Sequence, residues 1–520
     1  MRAIRAAVLF VALLLVASPV PGSSQSRPVD LLTATVAELQ AAVQSGALTY
    51  ERLVLEYLAR IAAYDKQGPR LNAVIAINPR AIELARALDI ERKTRGLRSP
   101  LHGIPVAVKD NIDTDGLPTT GGNVMFAGST PPRDARVVQA LRQAGAIIFL
   151  KTNLDELAMS SAGVSSLGGQ TLNPFNLAHS PGGSSGGTAV AVSAGFAAVG
   201  LATETGLSIR GPASNTGIVG IAPTQGLVSR AGVIPISFTQ DRVGVHAKSV
   251  EDAALVLSII RGFDPEDLVT ADSLGKIDSA GYVADGRVSL AGLRVGVLRD
   301  LFKKEAEAAA GNALVEKQLP LFATHGATIV DQLTTGIDLI ARMPALRLNS
   351  YELRPAFDAY LKRRGPSSPV QALTELIASG KYLRGGNMET RFEETLKVNV
   401  LDFDAEYRSR LAGRAAVRQA IVDLMDRERI DALVYPVKPL GGPVVGSADS
   451  GIRDNPISAV TGLPAVVVPV GLQADGLPLA IEILGRPFTE PVLITLAAVF
   501  EHARGARPLP PAAPRLPGPQ

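Results

Sequence analysis

The chain has 520 residues, of which 46% are hydrophobic and 19% charged, enough apolar material for a large packed core and too much for a disordered protein. Its formal net charge is only +3, from 52 basic and 49 acidic residues, and part of that excess sits in the first few residues. With aromatics at 4% and no basic stripe, nothing points to a nucleic-acid partner. Cysteine is absent, which excludes disulfides, thiolate nucleophiles and cysteine-held metals. The five histidines (His102, His179, His246, His325 and His502) form no HxxxH pair, so no metal and no other cofactor is expected.

The first stretch, MRAIRAAVLFVALLLVASPVPGSSQS, has Arg2 and Arg5 ahead of an apolar run from Ala6 to Ala17. The run is too short to span a bilayer comfortably, and small residues such as Gly22 and Ser24 follow it. Residues 1–24 therefore read as a signal peptide, which implies a secreted or periplasmic protein with no stable membrane span. The alternative is an uncleaved interfacial anchor, and the lack of cysteine argues against a lipid anchor.

Residues 31–90 read as helices: Thr35 and Glu38 fit a capping box, Gly46 a stop, and Thr49 opens the amphipathic run TYERLVLEYLARIAAYD. The short apolar runs IPVAVKD and AIIFLKTN suit buried strands, and the helical spacing of DARVVQALRQAGA lies between them. This alternation predicts an α/β sheet with helices on its faces. Residues 188–203, apolar nearly all round, predict a helix buried in the core. GLRVGVLR is a further strand, 301–430 is mostly helical with a loop near RRGPSSPV, and strands return at DALVYPV and PAVVVPVGL. The Pro-rich residues 506–520 are expected to be disordered. There is no internal repeat and no clear interdomain linker.

The run HSPGGSSGGTAVAVSAG places two serines between glycine pairs. GGSSG matches the nucleophile elbow G-x-S-x-G, but the residues before it, LAHSP, read as a turn where that motif needs a strand. A phosphate-binding loop fails because no lysine precedes Thr188. Ser273 and Lys276 fit S-x-x-K, yet they lie in a polar stretch that reads as a surface loop, without companion motifs. What remains is a serine nucleophile lacking an obvious histidine base. A neutral lysine can serve, and Lys109 ends a buried strand where desolvation would depress its pKa. A second serine segment, TETGLSIRGPAS, offers Ser208 with Gly206 and Gly211 beside it. Consecutive amides there could hold a developing oxyanion, or the segment is an ordinary helix-to-strand turn.

The segments LHGIPVAVKDNIDTDGLPTTGG, NLDELAMSSAG, NPFNLAHSPGGSSGGTAVAVSAG and TETGLSIRGPASNTGIVGIAPTQGLVSR together resemble the amidase signature family, over roughly residues 31–505. NPISAVTGLPAVVVPVGL and GLPLAIEILGR resemble its closing segment. The resemblance implies a large single domain with a central mixed β-sheet covered by helices on both faces. It implies Ser208 as nucleophile, Ser184 as a bridging serine after a cis peptide bond, and Lys109 as base. Ser185 becomes a supporting hydroxyl and Arg210 a brace for the loop. The backbone amides of Thr205, Gly206, Leu207 and Ser208 become the oxyanion hole. Three positions depart from the family pattern. Glu204-Thr-Gly-Leu-Ser replaces Asp-x-Gly-Gly-Ser, so Leu207 either narrows the acyl pocket or weakens the oxyanion hole; His179, at a commonly basic position, has no catalytic duty.

The expected activity is hydrolysis of a small-molecule amide; substrate class and a homodimer stay open. Alternatives are an ester or carbamate hydrolase of the same family, the A subunit of a tRNA-dependent amidotransferase, and a secreted binding protein that has lost catalysis.

Overall fold

A computed structural model describes residues 29–385, 387–398, 404–447 and 455–516; the expected signal peptide lies outside them. The strands in chain order are β1 (Val74–Ile77), β2 (Pro105–Lys109), β3 (Ile147–Thr152), β4 (Val164–Ser165), β5 (Gly169–Gln170), β6 (Val199–Glu204) and β7 (Val219–Ala222). They continue with β8 (Arg242–Ala247), β9 (Arg294–Leu298), β10 (Thr328–Leu333), β11 (Ala432–Pro436), β12 (Ala465–Leu472) and β13 (Pro478–Leu484). Eleven of them form one sheet, ordered β1-β3-β2-β6-β8-β7-β12-β13-β11-β9-β10, with β4 and β5 a separate hairpin. β2 runs parallel to both β3 and β6, and β9 to both β10 and β11, while β12, β13 and β7 pair antiparallel. The sheet is mixed and flanked by helices, as the resemblance implies. Most of its strands are buried along their whole length, which is why they read as continuous Val, Ile, Leu and Ala runs with no polar alternation.

The first helices follow their caps. In α1 (Val36–Gln44) the Thr35 side chain accepts from the Glu38 amide while Glu38 accepts from the Thr35 amide at 2.9 Å; α2 (Tyr50–Tyr64) starts at Thr49, which accepts from Arg52 N. Two expectations change. The 31–90 region contains the four-residue strand β1, which pairs with β3 through Val74, Ala76 and Ile77; a strand that short carries little periodicity of its own. The apolar run 188–203 divides into α5 (Gly186–Ser193), after α3 (Ala81–Arg95) and α4 (Arg136–Gln143), and then β6. Gly195, at φ +68°, makes the reversal. Full burial of both pieces removed the polar face that would have distinguished a helix period from a strand.

The Pro-rich tail also differs from its expected disorder over residues 506–516. Ala513 is fully buried, Ala512 N donates to Pro174 O, and the Arg60 guanidinium donates to the carbonyls of Ala513 and Pro514 at 2.9 and 3.0 Å. Proline leaves carbonyls without matching backbone donors, and a buried arginine supplies them. No helix among the described residues is long and apolar enough to cross a membrane.

Candidate active site

The parallel arrangement of β2 beside β6 brings three distant segments together. Lys109, the last residue of β2, is fully buried and donates from Nζ to Ser184 Oγ at 2.7 Å, to Thr203 Oγ1 at 2.9 Å and to Thr203 O at 3.2 Å. Asn111 Nδ2 also donates to Thr203 Oγ1, at 3.0 Å. Burial pulls the Lys109 ammonium down to about 7, against the opposing charges of Asp155, Asp241 and Glu204. Near neutral pH this amine is therefore part neutral, as a base must be.

The peptide bond between Gly183 and Ser184 is cis. The following residue, Ser185, donates its hydroxyl to Thr203 O at 3.0 Å and its amide to Ser208 O at 3.3 Å, so it holds backbone, not the lysine. A Cβ on Gly183 would fall 1.5 Å from Asp155 Oδ2, so only glycine fits ahead of Ser184. Asp155 in turn donates its amide to Ser184 O, and its carboxylate accepts from the amides of Ala162 and Gly163. Burial raises the Asp155 carboxyl to about 6 despite those amides and Lys109.

Ser208 lies just before α6 (Arg210–Asn215) and lines a cleft of about 100 Å³ together with Gly183, Thr205, Gly206 and Leu207. The N–H groups of Gly206, Leu207 and Ser208 donate to no acceptor among the described residues, and that of Thr205 follows directly on the end of β6. Leu207 has no left-handed backbone angle. Its side chain packs against Gly211 and into a small apolar cluster with Ala189, Val192, Ala213 and Val467 beneath the loop. A leucine here thus leaves the backbone free to follow the loop and anchors it to the core.

Arg210, fully buried, braces this loop as the resemblance implies: Nε to Glu204 at 3.0 Å, Nη1 to Glu482 at 2.7 Å, and Nη2 to Gly206 O at 2.7 Å. Arg242 shares Glu204. Burial would raise the Glu204 carboxyl, but the two guanidiniums and the Ile209 amide hold it down at about 2. His246 offers no base here: burial keeps it neutral down to about 4, and its Nε2–H donates to Ile209 O. His179 Nδ1 likewise faces a backbone carbonyl, that of Gly442. The S-x-x-K pair is local structure: Ser273 is buried, not on a surface loop, and donates to Thr270 O, while the Lys276 amine sits over the Phe488 ring. No group of three or more metal-ligating side chains is assembled among the described residues.

Reading the sequence missed Thr203, Asp155, Gln240 and Asp241. Asp241 accepts from the Thr205 hydroxyl and from the Ile236 and Ser237 amides, and burial raises it to about 6. The available signal was the polar pair Gln240-Asp241 directly ahead of the apolar strand β8. From the helical region 301–430, Arg347, Asn349 and Arg391 reach the cleft.

A family model described as Amidase matches residues 52–494. The chain is 35% identical over 506 residues to the A subunit of the glutamyl-tRNA(Gln) amidotransferase from Anaeromyxobacter sp. (strain K), covering 91% of this chain and 97% of that protein. Among solved structures it resembles the native peptide amidase from Stenotrophomonas maltophilia, with 37% identity, a TM-score of 0.83, and 92% and 98% of the two chains covered. An amidase family protein from Bacillus anthracis str. Ames gives 31% identity, a TM-score of 0.80 and 92% coverage of both chains. With this fold and this serine–lysine arrangement, the chain belongs to the amidase family.

Proposed function

We propose that the protein hydrolyses a carboxylic amide through an acyl-enzyme on Ser208. The observation that carries this reading is the buried Lys109 amine, 2.7 Å from Ser184 Oγ and pulled down to about 7, next to the cleft that Ser208 lines. Neutral Lys109 accepts a proton from Ser184 as Ser184 accepts one from Ser208, and Ser208 Oγ attacks the amide carbonyl. The amides of Thr205, Gly206, Leu207 and Ser208 hold the oxyanion. The proton returns through Ser184 to the leaving nitrogen, the C–N bond breaks, and the amine departs. Water, deprotonated by the same relay, then cleaves the ester and frees the acid.

The likeness to a peptide amidase supports hydrolysis. The test is a screen of amides, anilides, esters and carbamates with released amine or alcohol measured directly. Ser208→Ala should fall to background, and Ser184→Ala and Lys109→Ala should each lose about 10³-fold or more. Full activity in any of the three rejects the mechanism.

A second reading is favoured by the 35% identity to an amidotransferase component: the same site would release ammonia for transfer to a glutamyl-tRNA inside a larger assembly. Glutamine-dependent amidation of glutamyl-tRNA would establish it, whereas free ammonia or amine with no acceptor supports the hydrolase. The Arg2, Arg5 and Ala6–Ala17 pattern supports export and with it the hydrolase.

A further inference from the structure

Three carbonyls in the loop after β6 are pinned by donors. Thr205 O accepts from Gln240 Nε2 at 2.9 Å, Gly206 O from Arg210 Nη2 at 2.7 Å, and Leu207 O from Gly211 N at 2.8 Å. In a planar trans peptide the C=O of one residue and the N–H of the next point in opposite directions. Each pinned carbonyl therefore fixes the aim of the following N–H: Gly206, Leu207 and Ser208 in turn. Those N–H groups have no acceptor among the described residues and belong to residues that line the cleft.

Two of the three pins are part of α6. Arg210 begins the helix, and the Gly211 amide makes an ordinary helical i to i−4 bond. The third comes from elsewhere in the chain. Gln240 uses both ends of its amide on backbone groups of fixed character: Nε2 donates to Thr205 O, and Oε1 accepts from Leu348 N at 2.7 Å. A carbonyl can only accept and an N–H can only donate, so the orientation of this amide is unambiguous. Leu348 stands between Arg347 and Asn349, which also line the cleft. The loop carrying Gln240 is itself held: Asp241 accepts from Thr205, and Ser237 and Thr239 donate to Glu352 on the helix Asn349–Arg364.

We propose that Gln240 is a positioning residue for acyl transfer: its side-chain amide aims the Gly206 N–H at the oxyanion and ties that donor to the cleft wall at Arg347 and Asn349. This rests on the reading of Ser208 as the acylated serine. Gln240 does not move a proton; it acts through the Thr205–Gly206 peptide. Replacing it frees that peptide to rotate and costs the reaction part of one oxyanion donor while leaving the lysine relay in place.

The test uses the full chain and an alkyl fluorophosphonate, whose phosphoryl oxygen needs the same donors as a carbonyl. Ser208 Oγ bonds to phosphorus, the P–F bond breaks, fluoride leaves, and the serine proton passes through Ser184 to Lys109. Second-order labelling rates are measured across pH for the wild type, Gln240→Met and Gln240→Leu, neutral changes that remove both hydrogen bonds without adding a charge near Lys109. Each variant should lose about tenfold to a hundredfold in the plateau rate, with the inflection of the pH profile at the wild-type position. Circular dichroism checks folding, and if one variant does not fold the other decides. A wild-type plateau in either folded variant overturns the proposal, as does a plateau loss accompanied by a shifted inflection, which would place Gln240 on the relay. Ser208→Ala should take no label. Labelling of that variant would instead overturn the reading of Ser208, a failure distinct from that of Gln240.

Discussion

Lys109 owes its depressed pKa to burial, and every nearby charge that acts on it opposes the effect: Asp155, Asp241 and Glu204 all favour the ammonium. The protonation of Lys109 is thus set by a contest between desolvation and three carboxylates, with desolvation ahead. If the neutral amine is the active form, activity rises with pH through about 7 and falls on the acid side as the amine is protonated. Asp155→Asn removes one opposing charge and should move that inflection to lower pH, read from a pH profile of hydrolysis or of serine labelling. An unmoved or alkaline-shifted inflection would contradict the electrostatic account. Lys109, Ser208 and the Ser184–Ser185 pair stood out in the sequence by local pattern, a lysine closing an apolar run and serines among glycines, while the separate roles expected of them came only from the family resemblance. Thr203, Asp155, Gln240 and Asp241 were not, because their partners lie on other segments and their residue types are common in loops.

The strand β6 and the helix α6 are joined by the loop that carries Ser208, and one buried charge network fixes both ends of it. Glu204 closes the strand, Arg210 opens the helix, and Arg242 and Glu482 come from β8 and β13. Tyr435 adds a hydroxyl donated to Glu482 at 2.8 Å. Removing one member leaves an uncompensated buried charge, so Glu204→Gln should destabilise the protein by about 3–5 kcal/mol in denaturant unfolding. The folded-state pKa of Glu204 is depressed from 4.5 to about 2. Its contribution is therefore complete above about pH 4.5 and is lost as pH falls from there through about 2. The glutamine variant should lack that segment of the acid transition. Equal stability of the two proteins at pH 7 would mean the network is no brace. The sequence pointed to Arg210 but not to Glu482, a partner 272 residues away in the chain. The boundary between α5 and β6 escaped for a different reason: neither element shows a solvent face.

Across the whole molecule, the mixed sheet was legible as a class from its alternating strands and helices, but the crossing order of eleven strands was not, because register and neighbours depend on long-range pairing. The tail was misread because proline-rich composition says what a segment cannot do alone, not what it can dock against. Deleting residues 506–520 would strip the buried Arg60 guanidinium of two acceptors and expose the site of Ala513. Each lost hydrogen bond contributes about 0.5–1.5 kcal/mol net and the docked apolar surface is lost with them, so the truncated protein should melt at a lower temperature. An unchanged melting temperature would show the docking to be energetically idle.

The same docking has a topological result. Arg515 reaches Asp30 at 2.7 Å, so the first and last described segments meet side by side. Head and foot of the described domain are thus neighbours. A short peptide joining residue 516 to residue 29 would suffice to splice these two segments covalently.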